Sequence, residues 1–79
     1  MNQEILQQVA EYTGSRAATL GGAGLDLHSS SLSDWARTVE HIAESTAQYL
    51  YLTGNETRIF RRTFFRAFIG TTLEMANLI

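Results

Sequence analysis

The sequence predicts an all-α fold: an antiparallel helical hairpin over about 31–53 and 55–79, plus an N-terminal helix over about 2–20. The expected assembly is a homodimeric helical bundle built from one small domain, 1–79. Three observations carry this. Apolar residues recur at three- and four-residue spacing in three separate stretches. Proline is absent from all 79 residues, and proline is the residue that helix interiors exclude while turns and strand-rich folds use it. Glycine punctuation is concentrated at 21–24 and at Gly54, where helices would have to stop.

In the first stretch the apolar positions are Ile5, Leu6, Val9, Ala10 and Tyr12. Asn2 is a natural N-cap, and Glu4 suits the positive end of the helix. Gly14 offers an early stop. Continuation through Ala17 and Leu20 is preferred, because a stop at Gly14 would leave an irregular segment of unusual length. Residues 21–31 are rich in glycine and serine and form a linker, with Leu25 and Leu27 expected to pin it to the core.

Ser31 is the expected N-cap of the second helix, with Asp34 standing in for the glutamate of a capping box. Leu32, Trp35, Val39, Ile42, Thr46 and Tyr49 form its seam, flanked by Ala36, Ala43 and Leu50. Gly54 fits a left-handed C-terminal cap for this helix. Asn55 then fits the N-cap of the third, with Glu56 at its positive end. So short a joint implies a hairpin.

In the third stretch Phe60, Phe64, Phe68, Thr71, Met75 and Leu78 share one stripe. The arginines fall elsewhere. Residues 58–68 hold all four phenylalanines and four of the six basic residues, and the chain has no lysine. Phe65 lies off the core stripe, among Arg58, Arg61, Arg62 and Ile69. From Ile69 onward the helix carries Glu74 as its one charge and is apolar nearly all round, so burial by a second subunit is expected. Gly70 costs about 1 kcal/mol in a helix interior relative to alanine. With Ala67 and Thr71 it forms a small-residue patch suited to close approach of another helix.

Composition excludes several function classes. A chain this short exposes much of its surface and needs a staple or a partner. With no cysteine there is neither a disulfide nor a thiolate metal site, and two histidines make other metal sites poor. A net charge of −2 gives no overall attraction to nucleic acid or to an anionic membrane. No leader or membrane-spanning stretch is read from the sequence, so a cytoplasmic location is expected.

His41 and Glu44 lie three apart on one helix, in the reverse of the Glu-x-x-His order of di-iron bundles and only once. The glycines at 21–24 lack the Gly-Lys-Ser/Thr of a phosphate loop. The serines at 29–31 have no base or oxyanion hole arranged around them. Ser30, Ser31 and Leu32 are similar to the Asp-Ser-Leu of acyl carrier proteins with the aspartate missing, and residues 72–79 have a carrier-like cadence. That resemblance covers about fifteen residues and would imply a phosphopantetheine on Ser31. The arginine–phenylalanine segment has no counterpart there. No catalytic residue, cofactor or metal is therefore expected.

The remaining candidate is the arginine face. Arginine forks bind carboxylates and phosphates bidentately, and arginine and aromatic residues anchor binding surfaces. Arg58, Arg61, Arg62, Phe65 and Arg66 form the expected contact patch, with Tyr51 as an outlying member. The competing expectation pairs Arg62 or Arg66 with Glu44 across the hairpin, Glu44 lying near Phe65 and Arg66. The expected function is a non-enzymatic protein–protein interaction module: a small bacterial or phage-type regulator, inhibitor or adaptor that occupies an acidic partner surface. Nucleic-acid binding through the third helix is a second reading. Assembly through the C-terminal helix is a third.

Overall fold

A computed structural model of the protein describes residues 2–21 and 32–75, with side chains described for 2–20 and 36–75. Over those residues it contains three helices and no strand: α1 (Gln3–Gly21), α2 (Leu32–Tyr49) and α3 (Asn55–Met75). The linker, the Ser31 cap and Leu78 lie outside the described residues, as does the side chain of Trp35.

Asn2 caps α1 as its sequence indicates: the Glu4 N–H donates to Asn2 Oδ1 at 2.7 Å. The helix then runs straight through Gly14. Its buried positions are Leu6, Ala10, Gly14 and Ala18, each four residues from the last. Ile5 and Tyr12, expected in the seam, are exposed instead. A row at spacing four drifts by only about 40° per step, and Tyr12 falls on the far side of it.

All three helices bury rows of this kind. The rows are Val39, Ala43 and Ala47 on α2, and Phe60, Phe64 and Phe68 on α3. The α2 row departs from the expected seam. Val39 is buried as expected, but among the described side chains Ala43 and Ala47 continue the row, while Ile42 and Thr46 are half-buried and Tyr49 is exposed. The phenylalanine rings follow the helix's own repeat, with centroids 5.8 Å apart for Phe60–Phe64 and 6.4 Å for Phe64–Phe68. Each fully buried phenylalanine contributes about 1.5–3 kcal/mol from desolvation. Large rings on α3 thus meet small residues on α1 and α2, and that size alternation allows a dense core.

The closest approach is between α1 and α3. A methyl group built on Gly14 would lie 2.5 Å from the Phe64 carbonyl oxygen, 3.1 Å from Phe64 Cα and 3.2 Å from Ala67 Cβ. Further along, Thr71 Oγ1 donates to Ser15 Oγ at 3.0 Å. Gly14 meets Phe64 and Ala67 while Ser15 meets Thr71, so α1 and α3 run side by side in the same direction. Close approach was expected at Gly70, but a methyl group there would meet nothing within 4 Å. Residues 69–73 are already half-buried within one chain, which reduces the need for a second subunit to cover them.

The α2–α3 turn also differs from expectation. Tyr51, not Gly54, adopts the left-handed cap, with φ 59°. The Leu52 N–H donates to the Ala47 carbonyl and the Tyr51 N–H to the Gln48 carbonyl, both at 3.0 Å. This is a Schellman closure, completed by burial of Leu52 beside Ala47. Gly54 has φ 59° as well, but it stands at the head of α3, where its carbonyl accepts from the Arg58 N–H at 3.4 Å. Asn55 is accordingly the first helical residue rather than the residue before it.

The two interior glycines therefore predict opposite outcomes. Gly14→Ala forces backbone against backbone and is expected to destabilise by about 1–3 kcal/mol. Gly70→Ala is expected to stabilise by about 0.5–1 kcal/mol, because an open helical glycine gains only propensity. Urea denaturation followed by circular dichroism checks both; a Gly14→Ala variant as stable as the parent would refute the tight crossing.

Candidate interaction surface

At about 100° per residue, three of the four α3 arginines lie across the helix from the buried rings, and Arg61 stands to one side of them. Arg58, Arg62 and Arg66 form a row at spacing four, opposite the row of Phe60, Phe64 and Phe68. All of Arg58, Arg61, Arg62 and Arg66 are exposed. Among the described residues, none of the four is ion-paired to a carboxylate.

The structure divides the arginines and Phe65 among shallow grooves, with Arg66 also lining a stretch of the α1–α3 groove beside Glu11 and Glu74. On the α2 side, Arg58, Arg61, Arg62 and Phe65 are joined by Glu40. On the α1 side, Arg58, Arg62 and Arg66 are joined by Gln3, Gln7, Ile59 and Thr63. Phe65 is half-buried and packs against the core cluster, so much of its ring serves the fold. Glu44 does not line the arginine groove; Glu40 does. The reason is the cap. The turn begins three residues before Gly54, and facing positions on α2 slide by a comparable step.

Tyr51 stands apart from the arginines and lines neither groove. It is 90% exposed. A left-handed conformation in a bulky residue costs roughly 1–2 kcal/mol. Here that strain is held by a two-bond helix cap, with no burial of the side chain in return.

Gln3 and Gln7 were not singled out from the sequence. Both read as ordinary polar positions of an amphipathic helix. Only the packing of α1 along α3, set by Gly14, places them beside the arginine row. His41 and Glu44 are exposed on α2, and no three of His, Asp and Glu converge among the described residues. Ser31 and His28 lie outside those residues. No described helix is long and apolar enough to cross a membrane. Comparisons with protein-family models, curated proteins and solved structures yield no match.

Relief of the Tyr51 strain predicts that Tyr51→Gly raises stability by about 0.5–1 kcal/mol, the left-handed penalty being partly offset by glycine's greater unfolded-state freedom. The urea midpoint measures it. A fall in stability would mean that the tyrosine ring contributes to the fold.

Proposed function

We propose that this chain is a non-enzymatic protein–protein interaction module, a small regulator, inhibitor or adaptor that occupies an acidic partner surface through the exposed face of α3. One observation carries the reading. Four guanidinium groups stand exposed on one helix without a carboxylate partner among the described residues. They are also locally concentrated. Arg58, Arg61, Arg62 and Arg66 against Glu56 and Glu74 leave α3 at +2, while the whole chain is −2, so the rest carries −4. Exposed ion pairs contribute only about 0–1 kcal/mol each, so folding does not require this concentration of charge. Binding does, since complementary charge governs encounter and partner choice.

The finer reading is that α2 and α3 form an antiparallel hairpin and that two copies make a bundle. Support comes from the outer face of α1. Ile5, Tyr12 and Leu20 lie on the side away from its buried row and are 51%, 68% and 73% exposed. Exposed apolar residues on a second face of a short chain, here with Arg16 among them, are the kind of surface that a second copy covers.

Two experiments test these readings. Affinity capture from the native host should retain a specific protein that is lost when Arg58, Arg61, Arg62 and Arg66 are all changed to Glu; retention by that variant would rule out the α3 face. Sedimentation should give a dimer at micromolar concentration, converted to monomer by Tyr12→Asp. A monomeric parent at that concentration would eliminate the homodimer.

A further inference from the structure

We infer that the α1–α3 groove is a seat for an acidic α-helix, one whose carboxylates recur every four residues. This rests on the α3 reading above and narrows it to one side of the helix and one kind of partner. The lining chemistry is one-sided. At the end nearest the helix N-termini, Arg58, Arg62 and Arg66 form one wall, Gln3 and Gln7 stand on the other, and no carboxylate is among the lining residues; past Arg66 the groove continues along α1 and α3, where Glu11 and Glu74 join the lining. The opposite groove differs, because Glu40 stands among its arginines.

Spacing identifies the ligand. The three arginines step by four residues, about 6 Å of rise each and about 12 Å in all. Gln3 and Gln7 also step by four, on a helix running in the same direction. A row of Glu or Asp at i, i+4 and i+8 on a third helix has the same rise and the same drift around its axis. Each carboxylate can then meet a guanidinium fork, with a glutamine amide as a second donor. An extended acidic peptide fits less well, since its backbone N–H and C=O groups would find only side chains here, whereas a helix satisfies its own. Nucleic acid is disfavoured on two counts. No aromatic residue lines this groove to stack a base, and the remainder of the chain is negative.

The test uses the full-length protein and a labelled alanine-rich peptide of about 20 residues, long enough to be helical, with three Glu at i, i+4 and i+8. A control peptide has the same composition with its three Glu distributed around the helix, and a second control is a single-stranded oligothymidylate. Fluorescence anisotropy at low salt should show the row peptide binding more tightly than either control. Arg66→Glu and Gln7→Glu should each weaken it about tenfold, by placing like charge against the carboxylates. Arg61→Ala, on the other wall of α3, should change it by no more than about twofold. Circular dichroism melts of the variants should match the parent, so that lost binding reports on the groove. Equal binding of the rearranged peptide overturns the spacing argument. Tighter binding of the oligonucleotide overturns the choice of a protein partner. A loss with Arg61→Ala as large as with Arg66→Glu overturns the choice of groove, and so does absence of binding. A native partner still captured through the α3 arginines would leave the broader reading standing while removing this one.

Discussion

The crossing of α1 over α3 at Gly14 governs the rest of the architecture. At that point there is no room for a single carbon atom between the helix and the backbone of Phe64. Such proximity sets the two helices in register and allows Thr71 to reach Ser15. It also determines which side of α1 turns inward. Leu6, Ala10 and Ala18 join Gly14 on that side, leaving Ile5, Tyr12 and Leu20 outside. A glycine in mid-helix sacrifices about 1 kcal/mol of helix propensity. Here it is offset by the dispersion contacts that close approach brings to every residue along the seam.

Helix α3 serves two purposes on opposite sides. Its ring row is buried between small residues and holds the fold together. Its arginine row is exposed and contributes little to stability, since exposed charges in water interact weakly. The separation matters because the two rows can vary independently: substitution at Phe64 acts on the core, while substitution at Arg66 acts on the surface. Phe65 belongs to neither row. It is half-buried, lines a groove with Arg61 and packs against the core cluster, so any effect of changing it mixes folding with binding.

The α2–α3 turn shows how a cap can be assigned to the wrong residue. Two positions have left-handed backbone, and the glycine among them does not close α2. Tyr51 does, because the two Schellman hydrogen bonds and the burial of Leu52 together outweigh its steric preference. Moving the cap from Gly54 to Tyr51 brings Glu40, rather than Glu44, to the arginines.

Periodicity and composition determined much of this protein without any tertiary information. The helical class, the Asn2 cap, the continuation of α1 past Gly14 and the burial of Phe60, Phe64 and Phe68 all follow from local preferences and from spacing along one helix. So does the exposure of the arginines, because a guanidinium is rarely buried without a partner. Tertiary structure alone decided which helix α3 meets most closely, which glycine sits at a crossing and which groove each arginine lines. The physical reason is that spacing within a helix specifies its faces but not what lies against them. Gly14 and Gly70 look alike in sequence; only the neighbouring backbone of α3, whose Phe64 carbonyl oxygen would lie 2.5 Å from a methyl group built on Gly14, distinguishes them. Gln3 and Gln7 likewise gain their place beside the arginines from the packing of α1 along α3, a relation between residues more than fifty positions apart in the chain.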